Sequence, residues 1–280
     1  MTRYGLGLLF PLLFCPWAAA ADKDDQPLSA RYPDDVGLRG DPAVFLFDDF
    51  ESGEISKAKW SFAVPKANIA TAPQPVHGGQ RSLHIPYDLP EGPPAHRDCN
   101  RMVMASLAGK RLEHFFVRGY VYLASTPTPT AQRKLFYLFS QPRGEGQWDV
   151  IVSAWCKDTI PGDVPKLCIL SNFYPYSDLR LPAWNLAPVP YDAWHCLEVE
   201  VKLNTPPDRK DGWVRLWLND KLIFEKRAVA LRKDDRWLGE VGIGYQIDRN
   251  GDTHVRHEER YWDDLVIATK RIGAKFPRAK

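Results

Sequence analysis

The chain has 280 residues, 44% of them hydrophobic and 26% charged, enough for a sizeable buried core and unlike a disordered or fibrous polypeptide. A net charge of +2 lacks the strong basic field that nucleic-acid binding calls for, so a nucleic acid is not an expected partner. Aromatic residues are abundant, with 10 Trp, 11 Tyr and 13 Phe.

The N-terminus has the three parts of a secretory signal. Arg3 is positive, Leu6 to Phe14 is apolar, and Ala18-Ala19-Ala20 offers a small-residue cleavage site before Asp22. The apolar run is too short for a comfortable membrane span. Residues 1–21 are therefore expected to be removed, leaving a secreted or periplasmic protein with no membrane contact. Cys15 leaves with the signal, and Cys99, Cys156, Cys168 and Cys196 remain. An even number of cysteines in an exported chain predicts two disulfides. Cys156 and Cys168 flank the turn-rich Pro161-Gly162-Asp163 and could clip one hairpin, with Cys99 and Cys196 paired across the fold. The sequence leaves the connectivity open.

Residues 22–42 are polar, with Pro and Gly, and read as a flexible leader. Strand signals then recur at short intervals. They cover 43–50, 60–64, 82–87, 101–106, 114–123, 134–141, 148–156, 167–173, 195–203, 213–219, 222–226, 241–247 and 261–268. Asn219-Asp220 and Asn250-Gly251 mark tight hairpin turns. No stretch sustains a helical apolar period. Many short antiparallel strands without βα alternation predict an all-β, two-sheet antiparallel β-sandwich, formed by residues 43–280 as a single domain.

The strand over 114–123 has the clearest two-faced pattern. Phe115, Val117, Val121 and Leu123 alternate as an apolar face, with Gly119 among them. His114, Phe116, Arg118, Tyr120 and Tyr122 stand on the other. That second face is unlike an ordinary solvent face of Lys, Glu, Thr and Ser. It reads either as a wall for a hydroxylated or acidic ligand, or as an aromatic strand covered by a loop.

Four segments together carry a family resemblance. They are Phe47-Asp48-Asp49-Phe50-Glu51-Ser52-Gly53, Trp194 through Asn204, Asp211-Gly212-Trp213-Val214-Arg215-Leu216-Trp217, and Tyr261-Trp262-Asp263-Asp264-Leu265-Val266-Ile267-Ala268. In this order they resemble the concanavalin A-like lectin/glucanase jelly roll, in particular its polysaccharide-lyase-like members of the alginate and glucuronan lyase type. The resemblance implies a carbohydrate groove on one sheet. It also implies an Arg-containing strand, then a Gln-x-His strand, then a late strand ending Ala-Gly-x-Tyr-x-Gln. Here Arg101, Ser140-Gln141 and Gly244-Tyr245-Gln246 echo that order. No His follows Gln141, and Tyr245 and Gln246 are adjacent. The same fold hosts hydrolases and lectins, so activity has to come from the site.

Lyase chemistry on a uronate needs a group to neutralise the carboxylate, a base for the proton beside it and an acid for the departing oxygen. His114, Tyr120, Tyr122 and Tyr245 are the candidate catalytic residues. Arg101, Arg118, Tyr137, Gln141, Trp155 and Gln246 are the candidate substrate-binding residues. Regular alternation would put Gln246 rather than Tyr245 on the polar side, and a bulge would reverse that. No cofactor is required for the reaction. The resemblance also implies a structural calcium between the first and last strands, with Glu51 and Asp264 as candidate ligands and loop carbonyls around Gly79; turn capping explains the same residues. A hydrolase reading would need a further acid after Glu198-Val199-Glu200, but Lys202 stands there, so Glu198 and Glu200 read as a solvated outer face. Trp213 and Trp217, with Arg215, keep a lectin-like binding module as the alternative. The expected partner is an acidic polysaccharide and the expected state a monomer.

Overall fold

The computed structural model describes residues 26–88, 99–100, 103–105, 107, 109–125, 132–142, 144, 148–155, 164–171, 183–206, 209–248 and 257–275; for 99–100 and 245–248 it describes the backbone alone. The expected signal segment and Arg101, Cys156 and Asn250-Gly251 lie outside the described residues.

Fifteen strands are described. They are β1 (Val44–Asp48), β2 (Trp60–Ala63), β3 (Asn68–Thr71), β4 (Arg81–Asp88), β5 (Cys99–Asn100), β6 (Val103–Ala105), β7 (His114–Leu123) and β8 (Gln132–Gln141). They continue with β9 (Asp149–Trp155), β10 (Lys166–Leu170), β11 (Trp194–Lys202), β12 (Gly212–Leu218), β13 (Lys221–Val229), β14 (Trp237–Asp248) and β15 (His257–Ala268). Each strand expected from the sequence is present within a few residues, and β3 and β5 are additions. The hairpin at Asn219-Asp220 is confirmed: both residues have positive φ, 49° and 66°, and Leu218 pairs with Lys221 across the turn.

The strands form two antiparallel sheets. The first runs β13-β12-β11-β7-β15-β4-β3. Along β15, β4 pairs with His257–Trp262, and β1 then takes over the same edge from Leu265 to Ala268. The second sheet runs β10-β9-β8-β14-β6-β2, with β5 beyond β6 on the same edge of β14. This is the expected jelly-roll sandwich.

The core lies between the sheets. Phe115, Val117, Val121 and Leu123 of β7 enter it, as their alternation predicts. They meet Leu135, Phe136 and Leu138 of β8, Val150 and Val152 of β9, and Trp262 of β15. Full burial of such a side chain stabilises by about 1.5–3 kcal/mol. Gly119 lets the sheets close: a Cβ there would stand 3.0 Å from Leu265 Cδ1 and 3.4 Å from Phe136 Cζ.

Two expectations need correction. Residues 26–42 are not a flexible leader. A helical turn, Leu28–Arg31, hydrogen-bonds to the C-terminal segment through Leu28 N–H to Arg271 O (2.9 Å) and Ser29 N–H to Ile272 O (2.8 Å). Leu28, Leu38, Ala43 and Ile272 pack with Phe47, Phe116, Trp217 and Val266 on the outside of the first sheet. That apolar packing offsets the entropy of ordering the segment. Second, Cys168 and Cys196 are free, buried thiols. Neither of the two bridges weighed for them is formed. Burial pushes both thiols up to about 12, so they stay protonated and inert.

Candidate functional site

The sequence-predicted site residues divide between two faces that point away from each other. His114, Arg118, Tyr120 and Tyr122 lie on the outside of the first sheet. Tyr137, Gln141 and Trp155 lie on the outside of the second. One ligand cannot touch both sets.

The first set is occupied by the protein itself. Arg118 is fully buried and bonds Asp35 with both Nη atoms, the Nη1–Oδ1 distance being 3.0 Å. It also donates to the carbonyls of Gly273 (3.0 Å) and Asp264 (3.3 Å). Its carboxylate partner comes from the N-terminal segment, not from a ligand. Tyr120 is buried; its ring stacks on His77 at 3.6 Å and its oxygen accepts the Lys275 N–H at 2.7 Å. Burial raises its pKa, which disfavours the phenolate a base would need. Tyr122 is half-buried and donates to Asp192 at 3.3 Å. His114 bonds Glu200 at 2.7 Å.

Glu198 and Glu200 are not a solvated face, since both are buried. Glu198 accepts the N–H groups of Ile272 (2.7 Å) and Gly273 (2.9 Å), and burial raises its pKa. Burial acts against Glu200 too, but His114 and the Trp213 indole N–H overcome it and hold its pKa low. A cleft of about 530 Å³ lies beside these residues, lined also by Arg215 and Trp217. Its charges are spent internally. Arg215 bonds Glu200 (3.0 Å) and Glu225 (2.6 Å), and Arg271 pairs with Asp220. We therefore do not place the chemistry in this cleft.

The calcium candidates are likewise spent. One Glu51 oxygen accepts the N–H groups of Gln80 and Arg81, each at 2.8 Å. Asp264 takes His77 Nδ1 at 2.8 Å and Lys275 Nζ at 2.5 Å. Among the described residues no group of three or more His, Cys, Asp or Glu side chains is arranged to hold a metal.

The second sheet presents a different face. β8, β14 and the paired β5 and β6 are neighbours. These are the strands that end in Gln141, carry Tyr245-Gln246 and flank Arg101, so the strand order implied by the resemblance becomes spatial adjacency. Gln246 is in register with Lys134 on β8 and Asn100 on β5. The register shifts between Ile243 and Gln246, so a bulge interrupts the simple alternation at Tyr245. Of the side chains of Tyr245, Gln246 and Arg101 nothing is described.

On β8 a second shift, between Lys134 and Phe136, puts Leu135 and Phe136 both in the core. Lys134 and Tyr137 then share the outer face, with the Lys134 ammonium 5.9 Å from the Tyr137 ring centroid. Tyr137 donates its hydroxyl to Asp149 at 2.8 Å and lies 3.8 Å, ring to ring, from Phe139. Gln141 donates to Glu240 at 2.9 Å. Gln132 reaches Ser153 at 3.5 Å. Trp155 meets Trp184 edge-on at 4.8 Å. Lys134, Tyr137, Asp149 and Ser153 are all buried although they point away from the core. Burying Lys and Asp outside the core costs free energy, so such a cluster is more than a surface pattern.

Sequence reasoning missed Lys134, Asp149, Ser153 and Glu240. Asp149 and Ser153 had a signal, because they alternate with Trp155 along β9. Lys134 had none, since unbroken alternation puts it on the face of Phe136.

No family model matches the chain, and no curated protein matches it significantly. Solved structures do. An endo-β-1,4-glucuronan lyase from the fungus Trichoderma reesei is 15% identical, with TM-score 0.55 over 81% of this chain and 96% of that one. An alginate lyase from Chlorella virus is 13% identical, with TM-score 0.59 over 80% and 99%. Another alginate lyase, in complex with alginate tetrasaccharide, is 10% identical, with TM-score 0.53 over 82% and 95%. At these identities the likeness establishes the fold, a polysaccharide-lyase-like jelly roll.

Proposed function

We propose that this chain is an exported lyase that cleaves an acidic, uronate-containing polysaccharide by β-elimination on the outer face of the second sheet. The observation that carries the reading is the buried Lys134–Tyr137–Asp149 cluster on β8 and β9, next to β14 and the β5 and β6 segments that pair with it. Solved structures of this fold include glucuronan and alginate lyases, one holding an alginate tetrasaccharide, which supports the substrate class. Export rests on the N-terminal signal pattern.

β-Elimination breaks the C–H bond beside the uronate carboxylate and the bond from the next carbon to the glycosidic oxygen. A double bond forms between the two carbons, and the departing oxygen takes up a proton. Lys134 and the Gln141 amide neutralise the carboxylate, which stabilises the charge that develops as the proton leaves. The Tyr137 proton already points at Asp149, so the phenolic oxygen accepts the carbon-bound proton as Asp149 receives the phenolic one; Tyr137 then gives its proton to the departing oxygen and recovers one from Asp149. Phe139 fixes the Tyr137 ring, and Trp155 with Trp184 supplies an aromatic wall for a neighbouring sugar. Arg101, Tyr245 and Gln246 are the candidates for further contacts. His114, Arg118, Tyr120 and Tyr122 take no part.

The test is ultraviolet absorbance of unsaturated uronate after incubating the mature protein with polymannuronate, polyguluronate, polyglucuronate and a neutral β-glucan. Absorbance should rise with at least one polyuronate and not with the glucan. Binding without any unsaturated product would make the protein a carbohydrate-binding module. New reducing ends without unsaturation would make it a hydrolase.

A further inference from the structure

We infer that Lys275 is a built-in cation, seated where this fold would otherwise take a divalent metal, between the first and last strands. The inference holds whether or not the protein is a lyase.

Three carboxylates, Asp35, Asp263 and Asp264, are buried to within 4% exposure. Asp263 and Asp264 lie at the bulge of β15 where β4 gives way to β1, and Asp264 has φ 50°, a left-handed conformation. Asp35 arrives from the N-terminal segment. Buried carboxylates need cations or several hydrogen bonds. Arg118 serves Asp35, and Asp263 accepts the N–H groups of His77 and Gly78, each at 3.2 Å, and of Asp264 at 2.8 Å. Asp264 is left to His77 and to the Lys275 ammonium, which stands 2.5 Å from Oδ1 and also 4.0 Å from Asp35 Oδ2.

Lys275 is positioned for this role. Its backbone N–H is tied to Tyr120, which fixes the root of the side chain. Gly78 leaves room for the tip, since a Cβ there would lie 3.1 Å from Nζ. A calcium ion would need six to eight oxygens at about 2.3–2.6 Å. Both Asp264 oxygens are already paired, and one Glu51 oxygen is committed to two backbone N–H groups. The residues therefore do not fit calcium while Lys275 is in place. A cavity of about 300 Å³, lined by Asp34, Asp35, Arg39, Asp49, Asp264 and Lys275, adjoins Asp35 and Asp264.

The experiment compares thermal midpoints of the mature protein, Lys275→Ala and the Lys275→Ala/Asp264→Asn double variant, each in EDTA and in calcium chloride at matched ionic strength. The parent midpoint should be the same in both. Lys275→Ala should fall by about 5–10 °C in EDTA, the range for leaving a buried carboxylate without its cation in a chain of this size, and recover with calcium. The double variant should ignore calcium. If Lys275→Ala does not fold, Lys275→Gln carries the same comparison. A calcium-dependent rise in the parent would overturn the inference, and so would a Lys275 variant that calcium does not restore.

Discussion

Replacing Arg118 by Met should destabilise the protein without altering chemistry per folded molecule. Arg118 and Asp35 are 0% and 1% exposed, so the change strands a buried carboxylate. Removing one partner of a buried pair costs about 3–5 kcal/mol. Lys275, 4.0 Å from Asp35, offsets part of this, so we expect the lower end, about 3 kcal/mol. For a chain of this size that lowers the thermal midpoint by roughly 6–12 °C. The double variant Arg118→Met/Asp35→Leu removes the stranded charge and should be more stable than Arg118→Met alone. Urea unfolding followed by tryptophan fluorescence gives all three values, since Trp148 and Trp262 are core residues. Arg118→Met within 1 kcal/mol of the parent, combined with selective loss of acidic-glycan binding, would refute the structural role and restore Arg118 as a ligand contact (~1 kcal/mol being the resolution of such extrapolations).

Tyr137→Phe keeps the stack on Phe139 but loses the proton, so turnover should fall about 10²–10⁴-fold while oligosaccharide affinity is kept; unchanged turnover would remove Tyr137 from the reaction. Burial lowers the pKa of His84 and His195 below 6.5, so folding favours the neutral form of both. As pH falls from about 6.5 towards 5, the unfolded chain gains protons that the folded chain refuses, and each His should cost up to about 1.4 kcal/mol per pH unit. Asp263, pushed up by burial and by the neighbouring Asp264 charge, works in the opposite direction, so the comparison must be with His84→Gln and His195→Gln. Each variant should show a shallower acid-side loss of stability than the parent, and identical urea midpoints at every pH would contradict the assignment.

The alternation in β7 was legible because it is local. Phe115, Val117, Val121 and Leu123 do face the core, and Arg118 and Tyr120 do face away. What covers the outward side was not legible. Asp35 lies 83 residues from Arg118, and Lys275 lies 155 residues from Tyr120, so no nearby pattern announces either contact. The face rich in His, Arg and Tyr read either as a ligand wall or as a covered strand, and the second reading is the one the contacts support. On the second sheet, the strands carrying Gln141 and Tyr245-Gln246 were identified through the resemblance. Lys134 was hidden by the shift before Phe136, which moves one residue out of the alternation. Free Cys168 and Cys196 show that cysteine parity names a candidate framework, whereas geometry decides it.

The most direct measurement is the mass of the fragments released from a defined polyuronate oligosaccharide by the parent protein. Elimination adds no water, so the two fragment masses should sum to that of the starting chain, and Tyr137→Phe should release neither fragment at a comparable rate. Fragments that together exceed the starting mass by one water would show hydrolysis. An intact oligosaccharide retained on the protein would show binding alone. Either result would contradict a lyase site on the outer face of the second sheet.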